Sequence, residues 1–334
     1  PVVPETVGAI MSREMLMFSP LMRAREALAR LRQVGVPEDF MSNCYVVDEQ
    51  GLLLGVFTLR ELVMAPDHKR LDQFMSSPRA ILSPDDDQEQ AVALMERVDC
   101  VELPVVDDAG QLVGTVTADD AMEVLREEAT EDIEIMGGMS PSEKTYSRAT
   151  TWDLFKQRIP WLLILMLSAT FTGMVTTHYE EAFVSLPLLV SFMPMLMDTA
   201  GNCGNQISTL MVRGLALGEV EPSDFLQVLG KELRVSAIVG AVLGIVNGLR
   251  IYLMYTFLFP GQYANVMGYA IVVSVSLFFS VILAKLVGGM LPLAAKKLGA
   301  DPAIMATPFI TTIVDACSLI LYFQIAQLVF HNMM

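Results

Sequence analysis

The chain is 334 residues long, 53% hydrophobic and 18% charged, with a mean hydropathy of +0.48, too apolar for an ordinary soluble protein and too charged for a bare membrane bundle. Its net charge of −16 is concentrated in one half: residues 1–150 hold 28 acids against 13 Lys and Arg, and residues 151–334 hold 10 against 9. Such a field repels nucleic acid and anionic lipid headgroups and attracts cations, which excludes nucleic acid as a partner.

Cys44, Cys100, Cys203 and Cys317 are isolated, without metal-ligand or disulfide spacing, and read as thiols in a reducing cytosol. The three histidines add no cluster. The chain opens on Pro1 with no signal peptide ahead of the acidic half, so a further upstream segment is expected.

An internal repeat organises residues 10–125. Tyr45-Val-Val-Asp48-Glu-Gln-Gly51-Leu-Leu-Leu-Gly55-Val-Phe-Thr58 returns 59 positions later as Pro104-Val-Val-Asp107-Asp-Ala-Gly110-Gln-Leu-Val-Gly114-Thr-Val-Thr117. Each copy reads as strand, turn, strand and helix, preceded by a helix (Ala24–Gln33 or Gln88–Arg97) and by a Met-Ser segment at Met11 or Met75. The pattern resembles a tandem of CBS domains, a regulatory α/β module, with copies over about 1–68 and 69–125. That resemblance implies an adenine-nucleotide site, for ATP or a relative, at a Gly-x-x-Thr-x-x-Asp stretch, which Gly114, Thr117 and Asp120 match. Gly55, Thr58 and Glu61 depart from it at the last position. Plain turn chemistry is the competing reading of the same residues.

Asp120, Glu123, Glu127, Glu131 and Glu134 then fall on one face of a 3.6-residue helix, with Glu128 and Asp132 beside it. Like charges at this spacing destabilise a helix by about 0.2–0.5 kcal/mol per pair. From Asp85 to Glu134 there are 17 acids against Arg97 and Arg126 alone, so nearby bases do not cancel the repulsion. Either the stripe is a solvated face, or cations bridge it to a facing acidic surface. In the second case cation binding would act on the connector, expected over 126–155, that leads to the apolar half.

Five windows of about 20 apolar residues follow: Ile159–Thr177, Leu186–Val212, Val235–Phe259, Val266–Leu291 and Ala303–Phe330. Lys156 and Arg158 precede the first; Arg213, Lys231 and Arg234 lie in the second connection, and Lys296 and Lys297 in the fourth. His178–Glu181 and Pro260–Asn265 hold no Lys or Arg. The positive-inside rule therefore puts the acidic half in the cytoplasm and the C-terminus outside.

In the second window Asp198, Thr199, Gly201, Asn202, Gly204, Asn205 and Gln206 crowd ten positions at membrane depth. Polar or irregular backbone is tolerated there only against protein or water, so Asp198, Gly201, Asn202, Asn205 and Gln206 are candidate lining residues. Polar contacts between helices are the other reading. Asp315, the only charge between Ala303 and Phe330, costs at least about 2.5 kcal/mol at that depth and marks an ion or proton path. Asp301 stands 14 residues earlier, close to the same face and about 21 Å away on a continuous helix, a register that Pro302 and Pro308 are placed to distort. Lys285 and Arg250 are read as snorkelling or paired. Carboxylates and amides around a hydrated ion suit Mg²⁺; without His or Cys clusters, a soft metal is disfavoured.

With these residues in hand, the whole chain resembles the MgtE family of magnesium channels, lacking that family's N-terminal helical domain. The most specific segments are Gly201-Asn202-x-Gly204-x-Gln206 with Arg213-Gly-Leu-Ala-Leu-Gly-Glu219, and Asp301-Pro302-Ala303 with Asp315. The resemblance implies an α/β CBS-domain pair over 1–125, an acidic connecting (plug) helix in 126–155, and an all-α transmembrane domain of five helices over 156–334. It further implies a homodimer in the cell membrane with a pore on its two-fold axis. Asp315 would bind hydrated Mg²⁺ in mid-pore and Asp301 would serve the cytoplasmic end. Glu128, Glu131 and Asp132 would belong to the plug, and Glu89, Asp99, Asp120 and Glu123 would be regulatory ligands. Asp198 departs from the glycine expected there and adds charge near the pore. The function implied is Mg²⁺ uptake gated by cytoplasmic Mg²⁺. An H⁺- or Na⁺-coupled divalent carrier and a membrane-anchored nucleotide sensor are the alternatives; no nucleophile, base and oxyanion group points to an enzyme.

Overall fold

A computed structural model describes residues 3–35, 42–142, 144–180, 186–263, 265–305 and 307–330, without the side chains of residues 307 and 308. The chain divides into two compact units, Pro1–Thr130 and Glu131–Met334.

The first unit opens with a short helix, α1 (Val7–Ile10), and then holds one motif twice. In the first copy β1 (Met17–Phe18) is followed by α2 (Ala24–Val34), the hairpin β2 (Asn43–Val47) and β3 (Leu53–Thr58), and α3 (Leu59–Met64). In the second, α4 (Gln88–Val98) leads to the hairpin β4 (Glu102–Val106) and β5 (Leu112–Thr117), and α5 (Ala118–Met136) runs on from it. The repeat extends to irregularities: the register shifts between Val46 and Val47 and again between Val105 and Val106. Asp48 Oδ1 accepts from the amides of Gln50 and Leu52, and Asp107 Oδ1 from those of Ala109 and Gln111. Each carboxylate so imitates a backbone turn. The two turns then join the copies, Leu53 N donating to Gly110 O (3.1 Å) and Leu112 N to Gly51 O (3.0 Å).

The Met-Ser segments cross between the copies. Ser12 exchanges backbone hydrogen bonds with Thr115 on β5, and Ser76 does so with Val56 on β3. Consequently Val7 and Met11 pack in the core of the second copy, and Leu71 and Met75 in that of the first. The crossing explains two glycines. A Cβ on Gly114 would lie 2.7 Å from Met11 Sδ and 2.9 Å from Ser12 O; one on Gly55 would lie 2.9 Å from Met75 Sδ and 3.0 Å from Ser76 O.

The equivalent strand starts of the two copies also meet. Glu102, 5% exposed, accepts from the Tyr45 hydroxyl (3.0 Å) and from Asn43 N (3.2 Å), while Asn43 Nδ2 donates to Glu102 O (3.4 Å). Burial pushes the Glu102 carboxyl above the usual carboxylate range, although its hydrogen bonds pull the other way; burial and this acid push the Cys44 thiol up to about 12. An acid whose folded pKa is raised adds stability that is complete below its unfolded value, about 4.3, and is lost as pH rises through the folded value. Unfolding of the first unit should therefore grow easier as pH rises from about 4, and Glu102→Gln should flatten that slope. Tyr45→Phe strands one carboxylate oxygen and should cost about 1–3 kcal/mol. Denaturant titrations across this pH range check both; equal slopes with and without the carboxyl would contradict the assignment.

Among the described residues the second unit carries five long helices: α6 (Thr151–His178), α7 (Met193–Ala216), α8 (Phe225–Leu253), α9 (Val266–Lys297) and α10 (Thr307–Val329). Among the described residues, four helical segments are long and apolar enough to cross a membrane: Thr151–His178, Pro222–Leu258, Val266–Lys297 and Pro302–Val329. The helix of the second expected span, α7, falls outside that set because its polar run lowers its hydropathy; a 3-10 turn over Pro187–Phe192 precedes it. Glu181, in the first connection, lies outside the described residues.

α9 is the hub, packing against α7, α8 and α10. Glycines set the spacing, as small residues do where helices associate in lipid. A Cβ on Gly240 or Gly244 would meet the carbonyl oxygen of Phe278 or Ser274 at 3.0 Å, and one on Gly288 would lie 2.3 Å from Gly204 O.

The structure corrects one expectation. Asp301 and Asp315 do not share a continuous helix: Pro302–Met305 is a separate 3-10 turn and α10 begins only at Thr307. Asp301 Oδ1 accepts from Ala303 N at 2.8 Å, and Pro302 contributes no amide donor, so a capped turn forms in place of a helical start. The helical register between the two acids therefore fails.

Candidate functional site

The polar run of α7 sorts by face. Asp198, Asn202 and Gln206 recur every four residues and are all exposed, with Asn205 half-buried beside them. Gly201 and Gly204 turn the other way and are buried, Gly201 towards Thr311 of α10 and Gly204 towards Ile310 of α10 and Ala284 of α9. The small residues thus seat α7 in the bundle while the carboxylate and amides face outward. Such a face at membrane depth requires water or protein against it.

Asp315 lies half-buried on α10 within electrostatic reach of Asp198. Among the described residues neither acid belongs to an ion pair. Asn205 Oδ1 is likewise buried without a hydrogen-bond partner. Two carboxylates and a run of amides give this surface the oxygen atoms that suit a hard cation.

The acid stripe is a helix as expected, α5, but its members are differently engaged. Thr117 N and Oγ1 both donate to Asp120 Oδ2 (2.9 and 2.7 Å), and Asp120 N donates back to Thr117 Oγ1 at 3.3 Å. This is a reciprocal helix cap. Thr58 and Glu61 form the same cap at α3, so glutamate in place of aspartate preserves it. Gly114 is explained by the strand crossing and Thr117 with Asp120 by the cap. All three residues carry structural duties whether or not a nucleotide binds.

Glu123 lies 4.0 Å from Arg126 on an exposed face, Glu128 accepts from Gln88 Nε2 at 2.8 Å, and Glu134 accepts from Ser142 N at 2.9 Å. Glu131 and Asp132 are half-buried. Glu89 and Asp99 stand at opposite ends of α4, about 15 Å apart along its axis. Asp99 closes that helix in a left-handed conformation (φ 52°), and its carbonyl accepts from Arg79. Among the described residues no three His, Cys, Asp or Glu side chains converge as a metal-ligating group.

Three features were not anticipated from the sequence: Gln88 as the partner of Glu128, Glu102 between the repeats, and the seat of the end of α5. Ile135 and Met136 pack on Val212, near the end of α7, and on Ala303, in the turn that Asp301 caps. The sequence signal for that seat was the apolar pair closing an otherwise acidic run.

The chain is similar to known proteins over nearly its whole length. The family model MgtE, described as a divalent cation transporter, matches residues 193–325, and the CBS-domain model matches 7–68 and 71–127. The magnesium transporter MgtE of Thermus thermophilus is 35% identical over 325 residues, 97% of this chain and 70% of that protein; its Bacillus subtilis namesake is 29% identical over 331 residues, 98% and 70%. Among solved structures, the cytosolic domain of the Mg²⁺ channel MgtE in complex with ATP is 36% identical, covering 37% of this chain and 50% of that one with a TM-score of 0.36. A CBS-domain pair followed by apolar helices that match the divalent cation transporter model defines a membrane transporter, not an enzyme. The chain belongs to the MgtE family of magnesium transporters.

Proposed function

We propose that the chain forms a homodimeric Mg²⁺ channel for uptake, closed by Mg²⁺ on the cytoplasmic side. The observation that carries this reading is the exposed face of Asp198, Asn202 and Gln206 beside Asp315 in an apolar bundle. Among the described residues of a single chain that face is exposed, whereas a second copy across a two-fold axis would enclose it and pair Asp315 with its counterpart. A hydrated Mg²⁺ would pass as substrate between them, and Asp301 would serve the cytoplasmic mouth. The positive-inside pattern supports a cytoplasmic first unit and an outer C-terminus.

The seat of Ile135 and Met136 beside the Asp301 turn supports α5 as the plug. With little Mg²⁺ inside, repulsion along the stripe is unscreened and the closed arrangement is disfavoured; bound Mg²⁺ reverses the balance. Glu89, Asp99, Asp120 and Glu123 are the proposed regulatory acids, with Glu128, Glu131 and Asp132 on the plug. Because Glu89 and Asp99 are far apart, they would serve separate ions or face acids of the second copy. An adenine nucleotide at Gly114, Thr117 and Asp120 would modulate this balance and would have to share Asp120 with the helix cap.

Neutralising the plug as Glu128→Gln, Glu131→Gln and Asp132→Asn together should raise the Mg²⁺ concentration that closes the channel by at least about tenfold, roughly 1.4 kcal/mol. Flux into liposomes at graded cytoplasmic-side Mg²⁺ measures it. Closure at an unchanged concentration would reduce the stripe to a solvated face.

A further inference from the structure

A cavity of about 970 Å³ lies between the C-terminal half of α7, the start of α8 and the middle of α9. Lys285 and Glu232 both line it, at 7% and 8% exposure. Among the described residues neither forms an ion pair, with the other or with any third group. Buried charges left unpaired are costly, at several kcal/mol each. Both therefore call for counter-groups from outside the chain.

Their order in depth narrows the choice. Leu215, Val228 and Leu293 share one small core, so the end of α9 lies beside the end of α7 and the start of α8. Glu232 is level with Gly289, its Cγ 3.8 Å from where a Cβ there would sit, and Lys285 is one helical turn deeper, about 6 Å. Asp224, in the connection that precedes α8, lines the outer end. Leu210 and Val235 line the same cavity and are exposed, which gives it an apolar rim. The lining thus presents the carboxylates of Glu219, Asp224 and Glu232 with the exposed ammonium of Lys231 among them, then the buried ammonium of Lys285 at depth, with an apolar side.

A phospholipid bearing a primary amine has the complementary order: amine outermost, phosphate next, acyl chains alongside. A free anion would leave Glu232 unanswered, and a metal cation would leave Lys285 so. We infer that this cavity holds the headgroup of a zwitterionic aminophospholipid, its phosphate on Lys285 and its amine on Glu232.

The test uses the full chain, delipidated in detergent and incubated separately with phosphatidylethanolamine, phosphatidylcholine and phosphatidylglycerol, with native mass spectrometry as readout. Phosphatidylethanolamine should be retained at one per chain at least about tenfold over the other two, which lack the primary amine, a difference of roughly 1.4 kcal/mol. Lys285→Met should lower retention of all three lipids at least about tenfold and Glu232→Gln should remove the preference, while Lys285→Arg keeps both retention and preference. Equal retention of the three lipids by the unaltered protein, a preference that survives Glu232→Gln, or unchanged retention in a folded Lys285→Met would overturn the assignment. Should Lys285→Met not remain monodisperse, Glu232→Gln and the three-lipid comparison on the unaltered protein decide it.

Discussion

Asp315→Asn should abolish Mg²⁺ uptake while leaving the protein folded. A divalent ion about 6 Å from a carboxylate gains about 1.4 kcal/mol in water-like surroundings and several times more at an effective dielectric near 20. Each carboxylate is therefore worth at least about tenfold in occupancy, and a pair across a dimer axis about a hundredfold. Folding should survive because asparagine has the same shape and Asp315 belongs to no ion pair among the described residues. Removing a charge at that depth also lowers the cost of insertion, by about 2.5 kcal/mol. Uptake of radiolabelled or dye-reported Mg²⁺, set against an unchanged chromatographic profile, checks both halves. Normal uptake by the variant would remove Asp315 from the pathway.

Gly288→Ala should damage the bundle itself. The added methyl would sit 2.3 Å from Gly204 O and 2.8 Å from Ile207 Cγ2, and the first is backbone that no side-chain rotation relieves. α9 would have to move away from α7, the helix that carries the outward polar face. Overpacking of this kind costs about 1–3 kcal/mol, occasionally more, and the backbone obstacle puts this case at the upper end. Thermal unfolding in detergent reads the loss. Gly173→Ala on α6 is the control: its Cβ would meet nothing within 4 Å, so its midpoint should be unchanged or slightly raised. Equal behaviour of the two variants would mean that α7 and α9 do not pack so closely.

Much of the architecture was legible because it rests on local pattern. The 59-residue repeat predicted both hairpins, and the 3.6-residue acid stripe predicted α5, since side-chain period follows directly from backbone geometry. What stayed hidden depends on pairing between distant segments. Nothing in Met11-Ser12 tells it to complete the second copy and not the first, and Gly114 reads equally as a ligand contact or as room for that crossing. Asp301 carried two opposed signals: a 14-residue spacing suggested a shared face and Pro302 a distortion, and Pro302 with the acid's own cap puts a 3-10 turn where the helix would start. Asp198 and Asp315 were each visible as costly acids. Their proximity was not, because it depends on glycines that let α7 sit close to α9 and α10.

Wild-type protein in liposomes, with a Mg²⁺ gradient, no H⁺ or Na⁺ gradient and a clamped membrane potential, gives the most direct test of Mg²⁺ conduction along Asp198, Asn202, Gln206 and Asp315. Mg²⁺ entry should follow the ion's own electrochemical gradient, stop as Mg²⁺ rises on the side of the acidic unit, and be absent in Asp315→Asn liposomes. Flux that appears only when a pH or Na⁺ gradient is imposed would contradict this expectation and make the protein a coupled carrier.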